Sequence, residues 1–123
     1  MDVFRYLHSL AERKGSDLFF SVGAPVNLKR EGRFHQLTEQ PLPPGSVKQL
    51  AYQLMSQKQI AEFERNLEMN LAVGVPNSGR FRINVYYQRG EVAMVVRHIN
   101  NVIPRIAELG LPPVLENLVM LDR

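Results

Sequence analysis

The stretch RFRINVYYQRGEVAMVVRHI, residues 80–99, decides the fold because apolar and polar residues alternate on both sides of an Arg89-Gly90 turn signal. Successive side chains of a strand point to opposite faces of a sheet. A two-residue turn at Arg89-Gly90 sets each apolar residue of the first strand opposite an apolar residue or His98 on the second, as in the pair Ile83 and Val96. We therefore predict an antiparallel hairpin with one continuous core face.

The same register places Arg82 directly opposite Arg97 on the polar face, where cross-strand Cβ atoms lie about 4.5–5.5 Å apart. Two guanidinium groups this close repel each other unless an anion or a carboxylate lies between them. Guanidinium groups match phosphate oxygens well, which favours a phosphate-sensing pair. A carboxylate such as Glu68 or Glu91 that pairs with both arginines is the structural alternative, and a three-residue turn would remove the opposition altogether.

The N-terminal half predicts a helix followed by short strands. Residues 2–14 carry apolar side chains at helical spacing, with Asp2 as the N-cap and Gly15 as the stop. Alternation from Asp17 predicts a strand, a second strand follows around Val26, and Glu31-Gly32 predicts a hairpin turn into a strand over 33–37.

Two further helices are predicted from Ser46 and Ser56, since each serine stands three residues before a glutamine and so fits the capping box. A strand from Met69 to Val75 then leads to the hairpin. A helix pair of this kind also occurs in DNA-binding proteins, but the second helix carries Glu62 and Glu64, which would face phosphates unfavourably.

The 123 residues fit one domain with a sizeable core. The chain contains no cysteine, which excludes disulfides, thiolate zinc sites and thiol nucleophiles. A formal charge of +3 weakly favours anionic partners.

No stretch is long and apolar enough for a membrane span, so we expect a cytoplasmic protein. His8, His35 and His98 have no metal-ligand spacing, and we predict no metal site.

Several segments together resemble the N-terminal domain of the twitching-motility ATPases PilT and PilU. The resemblance is carried by GRFRINVYYQR at 79–89, VVR at 95–97, SDL at 16–18 with Gly23, Pro25, Arg30 and Gly32, and IAELGLP at 106–112. It spans nearly the whole chain in order. Phe19-Phe20 after the Ser-Asp-Leu segment, together with the segments 86–89 and 109–112, resembles the PilU branch more than PilT.

The resemblance implies an α+β, PAS-like sandwich, with an antiparallel sheet of about six strands and helices packed on one face. Residues 1–100 would be the regulatory domain, and 101–123 a linker and short helix leading to a RecA-like ATPase domain beyond this chain. In the wider family of secretion ATPases, two hairpin arginines reach the terminal phosphates of ATP, and the matching positions are Arg82 and Arg97. Arg80 is a third candidate on the same face.

The resemblance also implies a homohexamer that contacts the pilus platform at the inner membrane, with ATP and magnesium held by the motor domain. The phosphate-binding motif G-x-x-x-x-G-K-[ST] does not occur in the 123 residues. We therefore expect no hydrolysis and weak or no ATP binding by this chain alone, and no nucleic-acid binding. A free-standing PAS-like sensor of small ligands and a basic nucleic-acid-binding domain remain the alternatives.

Overall fold

The computed structural model describes residues 2–99, which form a six-stranded antiparallel sheet with three helices. This confirms the predicted α+β class and the strand number. The linker and short helix predicted over 101–123 lie outside the described residues. Within residues 2–99, no helix is both long and apolar enough to cross a bilayer.

The elements follow one another as three short strands, a helix pair and three long strands, after an N-terminal helix. Their bounds are α1 Val3–Glu12, β1 Asp17–Phe20, β2 Asn27–Arg30, β3 Arg33–Gln36, α2 Ser46–Tyr52, α3 Gln57–Asn66, β4 Glu68–Val75, β5 Gly79–Gln88 and β6 Glu91–Ile99. The strand order across the sheet is β3-β2-β1-β6-β5-β4. Strand β1, near the start of the chain, therefore pairs with β6, at the end of the described residues.

Helix α1 begins as the sequence predicts. The Asp2 carboxylate accepts a hydrogen bond from the amide of Phe4 at 2.9 Å, which satisfies one of the free N–H groups of the first turn. The apolar stripe of the helix, Val3, Leu7 and Leu10, is fully buried. After the helix, Lys14 adopts a positive φ of 57° and Gly15 packs tightly against the side chains of Leu10 and Leu28.

Of the two predicted capping boxes, only the second exists. At α3 the Ser56 hydroxyl accepts from the Gln59 amide at 3.2 Å, and the Gln59 side chain accepts from the Ser56 amide at 2.9 Å. At α2 the prediction was wrong, because Ser46 is already helical and its hydroxyl donates to the Pro43 carbonyl at 2.7 Å. The N-cap there is Gly45, whose φ of 81° suits a residue without a side chain.

The helices are joined to each other and to the sheet by aromatic packing. The Phe63 ring of α3 is fully buried and stacks on Tyr87 of β5, with ring centres 5.4 Å apart. The hydroxyl of Tyr52 in α2 donates to the Glu64 carboxylate at 2.7 Å. Partial burial raises the pKa of Tyr52 above its ordinary value, and Glu64 raises it further.

The core lies on one face of the sheet. Buried strand residues of this face, including Leu18, Ile83, Val85 and Val96, share a single cluster with the buried residues of all three helices. His98 lies on this side, half-buried against the Phe81 ring as predicted. All three helices of residues 2–99 pack on the core face, so the other face, which carries the polar residues of β5, is here called the helix-free face.

Candidate phosphate-sensing site

The predicted opposition of two arginines exists. Arg89 and Gly90 form a two-residue turn in which both have positive φ, 53° and 80°, and the resulting register pairs Arg82 of β5 with Arg97 of β6. Both side chains are exposed on the helix-free face. The third candidate, Arg80, lies two residues along β5 on the same face and pairs with Ile99.

A carboxylate does accompany Arg97, but it is neither of the two that sequence reasoning named. Asp17 of β1 lies opposite Arg97 in the β1–β6 ladder, and its Oδ2 accepts from the Arg97 Nε at 3.3 Å. Glu91 instead accepts from the Gly45 amide at 3.2 Å, and Glu68 lies opposite Tyr86. The role of Asp17 was not predictable from the sequence, because no local pattern reveals that β1 and β6 are neighbours.

The two members of the Asp17–Arg97 pair differ sharply in exposure. The side chain of Arg97 is 70% exposed, whereas that of Asp17 is 10% exposed. A nearly buried carboxylate retains its charge at low cost only when it is paired. The exposed guanidinium, by contrast, keeps most of its donors available to solvent or to a ligand.

The side chains of Arg82 and Arg80 make no hydrogen bond or ion pair with any residue of the described segment 2–99. Arg97 uses only its Nε there, so four of its five N–H groups remain unbonded within that segment. The pair Arg82 and Arg97 thus presents two positive groups with one compensating carboxylate.

The arginine pair borders a groove of about 490 Å³ on the helix-free face. Besides Asp17, Arg82 and Arg97, the groove is lined by a cross-strand amide pair in which Asn84 Nδ2 donates to Asn70 Oδ1 at 2.8 Å. The asparagines lie two residues further along their strands, about 7 Å from the arginine row. The groove therefore offers cationic and neutral hydrogen-bonding groups side by side.

The three histidines are apart from this groove. His8 is exposed and its Nδ1 lies 2.6 Å from the Ser78 hydroxyl, while the Nε2 of His98 lies 2.8 Å from the Ser78 carbonyl oxygen. Across residues 2–99, no three His, Asp or Glu side chains are grouped as metal ligands would be.

The geometry suits an anion that carries several oxygens. Two guanidinium groups on rigid neighbouring strands can donate to different oxygens of one phosphate group, and such charge-assisted hydrogen bonds are about twice as strong as neutral ones. An anion held between Arg82 and Arg97 would also relieve their mutual repulsion. The arginine and asparagine side chains that line the groove are hydrogen-bond donors, and they suit the binding of such an anion.

Comparison with known proteins agrees with the resemblance. The type IV pilus ATPase PilU of Pseudomonas aeruginosa is 37% identical over 123 residues, which are 100% of this chain and 32% of PilU. The retraction ATPase PilT of the same organism is 31% identical over 118 residues, 96% of this chain and 34% of PilT. Identity to PilU is the higher of the two, as predicted. No family model matches the chain.

Solved structures give the same result. A crystal structure of the pilus retraction motor PilT with bound ADP superposes with a TM-score of 0.76 and 34% identity, over 94% of this chain and 34% of that one. The Legionella pneumophila ATPase DotB shares the fold, with a TM-score of 0.62 and 19% identity over 93% of this chain and 32% of that one. The chain thus spans about a third of the length of the relatives it matches.

Proposed function

We propose that this chain, which is homologous over its whole length to a part of the PilU and PilT pilus ATPases, is the N-terminal regulatory and assembly domain of a type IV pilus retraction ATPase. In this proposal the domain packs against a RecA-like motor domain of its own or a neighbouring subunit in a homohexamer. The motor domain binds ATP and magnesium, and Arg82 and Arg97 contact the terminal phosphates.

The observation that carries the proposal is the opposition of Arg82 and Arg97 on the helix-free face. Like charges at directly paired positions destabilise a sheet, so the opposition of the two arginines does not by itself stabilise the fold. Asp17 compensates one of the two charges, and Arg82 has no partner within residues 2–99. A shared phosphate group would satisfy both arginines.

The proposal gives the pair a regulatory role. Phosphate contacts made by both arginines depend on how closely this domain approaches the motor domain, so loss of the terminal phosphate would weaken the contact and release the domain. Domain orientation would then report the nucleotide state. The groove and its arginines supply only one side of such a site, so hydrolysis belongs to the motor domain, which we place at the cytoplasmic side of the inner membrane with the pilus platform.

The test is Arg97→Ala and Arg82→Ala in the full-length protein, with ATP hydrolysis and pilus retraction as readouts. We expect each substitution to lower kcat/KM for ATP by on the order of tenfold to a thousandfold, because a charge-assisted contact to a phosphate is lost. Arg80→Ala should have a smaller effect. Normal turnover in the Arg97→Ala and Arg82→Ala variants would refute the sensing role.

Arg65→Ala is a suitable control, because Arg65 is exposed in the last turn of α3 on the helix side of the sheet. It removes the same unit of charge without touching the groove. We expect its kcat/KM to match that of the unsubstituted protein, which would show that net charge alone does not explain the losses at Arg82 and Arg97.

A further inference from the structure

We infer that Asp17 is a positioning residue, which holds the Arg97 guanidinium by its Nε so that the remaining N–H groups are directed to a phosphate. This inference rests on the proposed function of Arg97. It adds a residue on a different strand, β1, whose carboxylate acts on the ligand only through Arg97.

The first support is the atom that Asp17 engages. Its Oδ2 accepts from Nε, at 3.3 Å, and not from the two terminal nitrogens of the fork. A guanidinium is planar, so a bond to Nε restrains the orientation of the whole group while it leaves both terminal nitrogens unbonded. Those two nitrogens can form parallel bonds to two oxygens of one phosphate group, the end-on bidentate geometry of arginine.

The second support is the order of the strands. Strand β6, with Arg97, lies between β1, with Asp17, and β5, with Arg82. The carboxylate therefore approaches Arg97 from the side away from Arg82. It offsets part of the positive charge without occupying the space between the two arginines, which stays open to an anion.

The third support is the choice of partner. Asp17 has a cation on each side in the sheet, since its paired residues are Arg97 on β6 and Lys29 on β2. The Lys29 ammonium lies over the Phe34 ring, 5.9 Å from its centre, and only Arg97 forms an ion pair with Asp17 among the described residues. The Asp17 carboxylate thus pairs with Arg97, which lines the groove, and not with Lys29.

The fourth support is rigidity. The Asp17 side chain is 10% exposed and its backbone is paired on both edges, with β2 on one side and β6 on the other. A ligand-binding side chain keeps its geometry best when a fixed neighbour restrains it. Arg97 is itself 70% exposed, so packing does not restrain it, and the bond to Asp17 does.

The experiment is a double-mutant cycle in the full-length protein, with kcat and KM for ATP hydrolysis measured for Asp17→Ala, Arg97→Ala and the double variant. We expect Asp17→Ala to lower kcat/KM by on the order of tenfold, the value of one hydrogen bond to a charged group. In the Arg97→Ala background the same substitution should cause no further loss, because there is no guanidinium left to position. Asp17→Asn, which keeps a neutral acceptor, should recover part of the loss.

Lys29→Ala is the matched control, since Lys29 is the other cation paired with Asp17 but is not bonded to it. We expect it to leave kcat/KM unchanged. The same cycle made with Asp17→Asn covers the case in which Asp17→Ala fails to fold, and again the loss must vanish in the Arg97→Ala background.

Three outcomes would overturn the inference, and they are distinguishable. Equal losses from Asp17→Ala with and without Arg97 would make Asp17 a structural residue and leave the proposed function intact. An unaffected Asp17→Ala variant beside an impaired Arg97→Ala variant would show that Arg97 needs no positioning by Asp17, and it would also leave the proposed function intact. An unaffected Arg97→Ala variant would refute the proposed phosphate contact of Arg97 and the inference together.

Discussion

The β2–β3 hairpin and the β5–β6 hairpin close on the same kind of turn and carry the same cross-strand pair, yet only one of them forms a candidate site. Both turns end in glycine with two positive φ values, 52° and 77° at Glu31-Gly32, and 53° and 80° at Arg89-Gly90. In the first hairpin Arg30 lies opposite Arg33, as Arg82 lies opposite Arg97 in the second. An opposed arginine pair is therefore not sufficient to identify a phosphate site.

The two pairs differ in their position within the sheet. Arg30 and Arg33 flank the turn at the outer end of strands of four residues, and β3 is the fully exposed edge strand. The Arg30 side chain turns away to donate to the Arg13 carbonyl at 3.2 Å. At such an edge two arginines separate into solvent at little cost.

Arg82 and Arg97 lie instead in the middle of strands of 10 and 9 residues, each of which is paired on both sides. The backbone fixes how far apart the two residues can lie. Their charges must then be compensated from outside the pair, by Asp17 and, in our proposal, by phosphate. In the central sheet the two arginines cannot move apart, and this is why we expect the opposed pair to bind an anion there and not at the edge.

The largest expected effect is on the free energy of unfolding, when the phenylalanine of each hairpin is replaced. Phe81 is fully buried against His98, whereas Phe34 is 62% exposed. Phe81→Ala should lower the free energy of unfolding by about 3–5 kcal/mol, and Phe34→Ala by less than about 1 kcal/mol. Urea unfolding of the two variants measures the difference, and similar losses would mean that the edge hairpin is as well anchored as the central one.

The sequence predicted the central hairpin well because every determinant there is local. Alternation from Arg80 to Gln88 and the Arg89-Gly90 turn specify the register, and the register specifies that Arg82 meets Arg97. The Ser56 cap was likewise predictable, since both of its hydrogen bonds lie within four residues. These features need no knowledge of which elements become neighbours.

What could not be predicted depends on contacts between distant segments. The bond from Arg97 to Asp17 spans most of the described chain and exists only because β1 lies beside β6. The failure at Ser46 has such a cause in part, since the Ser46 hydroxyl donates locally to the Pro43 carbonyl, but the Gly45 amide donates to the Glu91 carboxylate of a distant strand. Local sequence matched a capping box there, but tertiary contacts set a different start.

A smaller difference in stability is expected between the Arg97→Ala and Arg82→Ala variants of the central pair. Arg97→Ala leaves the nearly buried Asp17 carboxylate without a partner, and we expect it to lower the free energy of unfolding by about 1–3 kcal/mol. Arg82→Ala removes an uncompensated charge and should change stability by less than about 0.5 kcal/mol, in the stabilising direction if repulsion dominates. Arg30→Ala at the edge hairpin should be equally mild.

Thermal and urea unfolding of these three variants provide the measurement. An Arg82→Ala variant as unstable as Arg97→Ala would show that both arginines are structural, and the phosphate interpretation would lose its main support. A neutral Arg97→Ala variant would show that Asp17 is well solvated without its partner.

The smallest expected effect is the one that most directly separates the two hairpins, namely stabilisation of the isolated chain by inorganic triphosphate. An anion that binds only the folded state adds RT ln 2, about 0.4 kcal/mol, when its concentration equals Kd, so the gain is small even for a real site. We expect it in the unsubstituted chain and in Arg33→Ala, whose groove is intact, and not in Arg82→Ala. Sodium chloride at matched ionic strength corrects for screening, which acts on all surface charges alike. If Arg82→Ala gained as much as Arg33→Ala, triphosphate would be acting on the general positive charge of the domain, and the central pair would have no more claim to phosphate than the edge pair.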